Sequence, residues 1–411
     1  MRILLLSQHF PPETAATGRR AMDLAEEFTR LGHDVAVVTG RPNHPATARI
    51  AVSRQDGSSV TSAGYPVHRV RVWRTSWAGP LQRMLTYGTF TVCAAWRAAW
   101  LARRADIVVA ISPLPTGLAG LLASSFSGKP LIFDLQDIWP ESAYVCGLLR
   151  EGTLLRGLRR VEAFLYRRCA AVTVITPGFR SYVMGHGIGP DRVHVVHNGV
   201  EAGLFEGSAP DQAFLSGHSL EGKFIVLYFG NVGLAQNLET LLRAAESLKG
   251  EEGLVFVILG DGVDKGRLME WAAGRGLRNC RFVTTQPRQR LPGIVAAAHI
   301  LVVMLRRAEL FEITIPSKLY ECLAAGKPIL CAVAGDAAEI VHKAGGGVTV
   351  LPDDVSGVVQ AIQIIRNDYP RFAREGAQAR EYVTRHYSRD QIGVQFAGIC
   401  REAIVGWRQR S

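Results

Sequence analysis

No stretch of about 20 consecutive apolar residues occurs in the chain, so no transmembrane helix is expected. The opening residues 1–6 carry one arginine and only four apolar residues in a row. That is too short for a signal peptide and predicts a buried first strand instead. The seven cysteines are scattered, with no C-x-x-C pair and no metal-ligand spacing. This excludes a disulfide framework or a zinc module and reads as reduced thiols in a cytosolic chain. There is no D-x-D carboxylate pair to hold a divalent metal, no nucleic-acid recognition motif, no short-period repeat and no low-complexity tract.

What is present is enough material for two domains: 411 residues, of which 48% are hydrophobic. The net charge of +11 is unevenly placed. Residues 1–205 hold 23 basic and 14 acidic side chains, against 24 and 22 in residues 206–411. A positive field over the first half suits an anionic partner: a phosphorylated substrate, nucleic acid or an anionic membrane surface.

Short apolar runs alternate with helix-period segments throughout. Residues 3–6, 35–39, 107–110, 131–133, 172–175 and 193–196 read as strands of the first half. Residues 224–229, 254–259, 281–283, 300–303 and 329–332 repeat the scheme in the second. Helices are expected over 19–31, 237–248, 264–275 and 317–325, and through a tail at 371–408. Near-continuous apolar strands alternating with helices predict α/β domains with parallel sheets covered on both faces. The expected layout is a first domain at 1–204, a linker at 205–222 that breaks the pattern, a second domain at 223–385 and a helical tail at 386–411 returning to the first. Ligands of such sheets sit beyond the carboxyl ends of the strands, so two such domains facing each other would form a central cleft.

The loops after strands are therefore the informative segments. Pro11-Pro12-Glu13-Thr14-Ala15-Ala16-Thr17-Gly18 follows the first strand and opens a helix, where a glycine lets a phosphate approach backbone N–H groups. Gly230-Asn231-Val232-Gly233 follows the first strand of the second half, and Gly260-Asp261-Gly262 the next. With Gly266 the latter makes G-x-G-x-x-x-G, one residue too long for a dinucleotide fingerprint. In Thr314-Ile315-Pro316-Ser317-Lys318-Leu319-Tyr320-Glu321, Ser317 reads as an N-cap, and Lys318 and Glu321 share a helix face that ends at Gly326. A lysine at a helix start gains nothing from the macrodipole, so it is expected to reach a phosphate. Asp134-Leu135-Gln136-Asp137-Ile138-Trp139-Pro140-Glu141 places three carboxylates and a tryptophan at a strand end, which suits a polar cleft with a stacking platform for a sugar. His197-Asn198-Gly199-Val200 reads as a turn.

Together these segments resemble glycosyltransferase family 4, the retaining enzymes of GT-B fold, nearly end to end. The resemblance rests on the glycine loop ending at Gly18, Gly32-His33-Asp34-Val35, Asn198-Gly199-Val200, Gly260-Asp261-Gly262 and Glu321-Cys322-Leu323-Ala324-Ala325-Gly326-Lys327-Pro328. It implies two doubly wound Rossmann-like domains, with the nucleotide sugar held mainly by the second and the acceptor by the first. Glu321 would contact the nucleotide ribose. Where the family carries a second glutamate eight residues earlier, this chain has Ile313 with Glu312 beside it. Where the family carries an Arg and a Lys after the first glycine turn, it has Asn231 and Gln236. Gln136 stands where a histidine is common. The Ile-Pro-Ser-Lys and Asp-Ile-Trp-Pro stretches resemble a bacterial surface-polysaccharide subgroup that transfers N-acetylated deoxyamino sugars, in O-antigen or exopolysaccharide synthesis.

The resemblance then implies transfer from a nucleoside diphosphate, UDP being expected, to a lipid-linked acceptor hydroxyl, with no cofactor and no metal. The donor would meet Gly18, Gly230, Asn231, Gly233, Gln236, Gly260, Glu312, Ile313, Ser317, Lys318, Leu319 and Glu321. Lys318 would neutralise the leaving diphosphate, and Asp137 would position or deprotonate the acceptor. Gln136 and Trp139 would face the acceptor. Residues 68–104, with Arg69, Arg71 and Arg74 and with Trp73, Trp77, Trp96 and Trp100, read as a patch for an anionic membrane surface, Phe90 and Leu101 extending it. The expected place of work is peripheral, on the cytoplasmic side of the membrane. A nucleotide-sugar 2-epimerase of the same build and a non-catalytic membrane-associated scaffold stand as alternatives.

Overall fold

A computed structural model of the chain describes residues 1–13, 16–42, 58–61, 63–73, 80–201 and 203–410. It divides into two units, one of Met1–Asn198 with Arg389–Ser411 and one of Gly199–Ser388.

The first unit begins with β1 (Arg2–Ser7), α1 (Ala16–Arg30), β2 (Asp34–Gly40), β3 (Ser58–Val60), β4 (Pro66–Val70) and α2 (Pro80–Ala102). It continues with β5 (Ile107–Ile111), α3 (Leu114–Ser127), β6 (Leu131–Leu135), α4 (Glu141–Val145) and α5 (Thr153–Arg168). Next come β7 (Ala171–Val174), α6 (Pro177–Gly185) and β8 (Val193–Val195). The second unit runs through α7 (Gln212–Gly217), β9 (Phe224–Phe229), α8 (Glu239–Ser247), β10 (Leu254–Leu259), α9 (Lys265–Gly274) and β11 (Cys280–Val283). Then follow α10 (Leu291–Ala297), β12 (Ile300–Met304), α11 (Glu309–Glu312), α12 (Ser317–Ala324) and β13 (Ile329–Ala332). It closes with α13 (Asp336–Ala344), β14 (Gly347–Thr349), α14 (Val355–Asn367) and α15 (Tyr369–His386), after which α16 (Arg389–Arg410) belongs to the first unit.

The first sheet has the order β3-β4-β2-β1-β5-β6-β7-β8, parallel except where β3 meets β4. Its central strands are buried at every position in β5 and β6, as the apolar runs require of a sheet covered on both faces. α1 buries Ala21, Leu24, Ala25 and Phe28, an i, i+3, i+4, i+7 stripe. α16 packs on α1, with Phe396 edge-on to Phe28 at 5.7 Å between ring centroids. α2 and α3 lie side by side against the same sheet, and α3 also meets α5. Right-handed crossovers put these helices on the face opposite α1.

The second sheet is fully parallel, in the order β11-β10-β9-β12-β13-β14. The chain runs outward from β9 in one direction, then restarts at β12 and runs outward in the other. The point between β9 and β12 is the topological switch, where loops diverge and leave a crevice. In the first sheet the equivalent point lies between β1 and β5.

Three strands had no signal in the apolar runs: β3 and β14 span three residues each, and β4 opens on a proline and alternates with His68 and Arg69. The stretch 205–222 is not an open connection. Asp211 caps α7 through Phe214 N, takes Arg290 Nη2 at 2.8 Å, and its own N–H meets Gly293 O. α8 begins at Glu239 rather than at Asn237, which has φ 43°. Phe90 is fully buried, because on α2 it lies in line with Ala94, Ala98 and Ala102 on the inner side.

Phe396→Ala should cost about 3–5 kcal/mol, the usual toll of deleting a buried aromatic ring. Denaturant unfolding of the full chain reads it. A loss within error of zero would remove α16 from the core of the first unit.

Candidate functional site

The carboxyl ends of β9 and β10 in the second unit meet backbone to backbone. Gly230 and Gly260 have φ 126° and 151°, a region closed to side-chain-bearing residues. A Cβ added at 260 would overlap Gly230 O, and one at 262 would overlap Val232 O. The two loops are then laced together by Gly230 N to Leu259 O, Val232 N to Asp261 O and Asp264 N to Val232 O, at 2.8, 3.0 and 3.1 Å. Gly260 and Gly262 therefore serve loop-on-loop contact, whereas a Cβ at Gly233 would meet only Asn231 and Gln236 of its own loop. Asp261 fastens the turn further, accepting from Lys265 Nζ at 2.9 Å and from Thr285 N and Oγ1.

Gln236 spends its Oε1 on Gly233 N at 3.1 Å, closing the Gly230 loop on itself. Asn231 is exposed, and its carbonyl takes the Tyr228 hydroxyl at 2.5 Å. Neither puts a cation where the family has Arg and Lys.

Lys318 is the cation that lies against this turn. Its ammonium lies 3.5 Å from the Tyr228 ring centroid, and a Cβ at Gly230 would sit 2.7 Å from its Cε and Nζ. The lysine thus tucks beneath the Gly230 turn at the sheet's switch point. Among the described residues no hydrogen bond or ion pair engages Nζ. Burial pulls its pKa down to about 7, with Cys322 and Glu321 partly opposing. Ser317 is not the N-cap: Pro316 holds that position, makes no side-chain cap, and Ser317 is the exposed first residue of α12. Proline already fixes the backbone at the helix entrance, so no hydroxyl cap is required. Leu319 is fully buried and its N–H bonds Pro316 O, so it offers nothing to a ligand.

One turn along, Glu321 is paired with Arg288 at 3.4 Å, and Arg288 also faces Glu201 at 3.9 Å. Both side chains of the Arg288–Glu321 pair keep partial exposure, so the pair is weak and open to exchange. Arg288 had not been singled out, although Gln-Pro-Arg-Gln-Arg after a strand is a visible signal. Glu312 is exposed on α11 and lines a cavity of about 60 Å³ with Arg306, Arg307, Val333 and Leu351. The partly buried Ile313 follows it. Asp353, φ 66°, ties this region to the β9 loop: it accepts Asn237 Nδ2 at 2.6 Å and Arg307 N at 2.9 Å.

In the first unit Gly18 is buried against the backbone of His9 and Phe10, at 3.1–3.2 Å from a would-be Cβ. It permits close packing of loop on helix. Of the three carboxylates at the β6 end, Asp134 is fully buried and structural, taking Arg20 Nε at 3.2 Å, Gln136 Nε2 at 2.8 Å and Thr173 Oγ1 at 2.7 Å. Glu141 is held by Arg159. Asp137 alone is exposed, with Ser142 Oγ donating at 2.9 Å. Trp139 beside it is partly buried. His9 at the β1 end, missed in the sequence, bonds the buried Glu13 at 3.0 Å. Arg69 donates to Pro11 O at 2.5 Å and burial lowers its pKa, so it is spent internally, while Arg71 is exposed. Trp73, Trp96 and Trp100 are exposed; Arg74 and Trp77 lie outside the described residues. Among the described residues no three His, Cys, Asp or Glu side chains cluster to hold a metal ion.

Two family models match: the glycosyl transferase 4-like domain over residues 16–199 and the glycosyl transferases group 1 over residues 213–382. WcaI of Escherichia coli (strain K12), named for colanic acid biosynthesis as a glycosyl transferase, is 26% identical over 96% of this chain and 98% of its own. WbjE of Pseudomonas aeruginosa, named as a glycosyltransferase, is 26% identical over 64% and 67%. Among solved structures, Anabaena Alr3699/HepE in complex with UDP and glucose superposes with TM-score 0.76 at 17% identity, covering 98% of this chain and 100% of that one.

Gly260→Ala should destabilise the second unit by several kcal/mol, since the new methyl has no room beside Gly230 O, while Gly266→Ala, on α9 with open space around it, should stabilise by about 0.5–1 kcal/mol. Thermal unfolding of the two variants decides it. Equal effects would mean that the glycine spacing does not serve loop contact.

Proposed function

We propose, for a chain that belongs to the GT-B glycosyltransferases of the family 4 and group 1 type, that it assembles a surface polysaccharide at the cytoplasmic face of the membrane. The donor is a UDP-sugar carrying a hexosyl or N-acetylhexosaminyl unit, an N-acetylated deoxyamino sugar being the narrower form. The acceptor is a hydroxyl of a polyprenyl-diphosphate-linked glycan, and the anomeric configuration is retained. The two curated relatives named for polysaccharide work or sugar transfer support this direction. The epimerase and scaffold readings are not favoured: a 2-epimerase from Listeria monocytogenes shares the fold at 10% identity and nothing finer.

The observation that carries the proposal is Lys318, an ammonium with no hydrogen bond or ion pair among the described residues, held beneath a glycine turn at the switch point of the second sheet. A diphosphate there would gain a cation in place of the missing Arg and Lys, and charge accumulates on that diphosphate as the sugar leaves. A metal ion would then be dispensable. Glu321, released from Arg288, would accept from the ribose hydroxyls, leaving Arg288 free to pair with phosphate oxygen. Asp137, exposed and oriented by Ser142, would position the acceptor hydroxyl or take its proton.

Because the Lys318 pKa is about 7 in the free chain, a bound dianion must raise it. Binding of UDP should therefore take up a proton, most strongly above pH 7 and up to the raised value, and not at pH 5, where the lysine is already charged. Calorimetry in two buffers of different ionisation enthalpy measures this uptake; none in either direction at pH 8 removes Lys318 from the diphosphate.

Glu321→Ala should weaken UDP binding by about 1–3 kcal/mol, the scale of a charged hydrogen bond, in a folded protein. Transfer of labelled sugar from a panel of nucleotide sugars into extracted membrane lipid, with and without EDTA, tests the reaction itself. Donor hydrolysis or epimerisation without a glycosylated lipid would sink it, and loss with EDTA restored by magnesium would sink the metal-free part.

A further inference from the structure

We infer that the outer face of α2 and α3 is the surface by which this chain seats on an anionic lipid bilayer; the assignment rests on the proposed lipid-linked acceptor. α2 is apolar on two opposite sides. Phe90, Ala94, Ala98 and Ala102 recur every fourth residue and are fully buried. Val92, Trp96 and Trp100 recur every fourth residue half a turn away, and Trp96 is 84% exposed. The inner row explains why α2 is there. Among the described residues, nothing in the packing of the first unit explains the outer one.

α3 lies against α2 and repeats the pattern. Ala119 and Ala123 are buried, whereas Leu122 and Phe126 stand outward, Phe126 at 75% exposure. Two adjacent helices thus present apolar and aromatic side chains to water in parallel rows, an arrangement that ordinary soluble surfaces avoid.

Charge selects the occupant. α2 and α3 contain no Asp or Glu at all. Between residues 80 and 130 the single acid is Asp106, bound to Arg2 at 3.0 Å, against Arg83, Arg97, Arg103, Arg104 and Lys129. The guanidinium carbons of Arg97 and Arg104 lie 5.3 and 5.6 Å from the Trp100 ring centroid. The first unit as a whole has 27 basic and 15 acidic side chains, and the second 20 and 21, so the chain's entire positive charge belongs to the unit that carries this face. Tryptophan with arginine beside it matches the level of lipid headgroups, the ring entering the acyl boundary and the cation meeting phosphate. Among the described residues no helix is long and apolar enough to cross a membrane, so the seating is in-plane and peripheral. The β4 arginine Arg69, bonded to Pro11 O, takes no part.

The test is co-sedimentation of the full chain with vesicles of phosphatidylcholine alone or mixed with phosphatidylglycerol, across a salt series. Wild type should bind the mixed vesicles, more weakly as salt rises, and show little affinity for neutral ones. Trp96→Glu and Phe126→Glu should each lower partitioning about tenfold or more with unchanged thermal unfolding, one on each helix. Val394→Glu, an exposed apolar position on α16 across the sheet, should not. Tryptophan emission should shift to the blue on vesicles, and less so in Trp96→Phe. Undiminished binding of both glutamate variants, equal binding to neutral vesicles, or self-association broken by the same substitutions without vesicle binding would each overturn the assignment. A chain that glycosylates detergent-extracted acceptor yet ignores vesicles loses this face and keeps the transferase reading. A chain that seats through this face and transfers nothing does the reverse.

Discussion

The two glycine turns at the carboxyl edge of the second sheet approach each other more closely than any pair of side-chain-bearing residues would allow, and much of that unit's chemistry hangs on this approach. Because Gly260 and Gly262 have no Cβ, the loops after β9 and β10 can close on each other and exchange three backbone hydrogen bonds. Removing side chains from the turn also opens the space that the Lys318 stem fills. The lysine is lodged between the Tyr228 ring and the turn. A position that takes an ammonium out of water and gives it, among the described residues, ring faces rather than hydrogen-bond acceptors disfavours the charged form, which is why the pKa falls to about 7.

The first unit meets the comparable problem, holding loops at strand ends, with a buried ion pair. Asp134 at the end of β6 gathers Arg20 from α1, Thr173 from β7 and Gln136 from its own loop, and Arg20 goes on to the carbonyls of Val196 and His197. Five segments are tied through one carboxylate. Such a pair adds little net stability over an apolar equivalent, but losing one partner strands a charge in the core. The acid that remains accessible at that edge is Asp137, one turn further on. The two units thus reach rigid loop edges by different means, one through close backbone contact and the other through charge.

The architecture was legible because parallel strands covered on both faces read as plain apolar runs, and the runs at 224–229 and 254–259 coincide with β9 and β10. Short strands escaped for the same reason: β14 is three residues starting with glycine and has no run to see. Candidate residues stood out where their chemistry was anomalous for their place, as with a lysine in the first turn of α12. They were illegible where their role is relational. Arg288 and Glu321 are 33 positions apart, and Asn237 and Asp353 are 116 apart, so only the fold reveals them as pairs. Ser317 was misjudged because a serine after a proline has the residue type of a cap but sits one position too late. Phe90 shares the aromatic character of the outer face but lies on the side of α2 that meets the sheet, which spacing along a helix does not decide. The three carboxylates at 134–141 look alike in sequence, and burial together with pairing sorts them into one structural, one paired and one exposed.

The return of α16 to the first unit has a consequence for biosynthesis. Arg389 bonds Asp23 and Phe396 stacks edge-on against Phe28, so residues near the beginning of the chain wait for partners made near its finish. Between Asn198 and Arg389 the ribosome must first deliver the 190 residues of the second unit. At about 5–20 residues per second that delay is roughly 10–40 s. During it the second unit has its whole sequence and can fold, while the earlier-made sheet stands with the groove over α1 still open. The part of the chain synthesised first is therefore the part completed last.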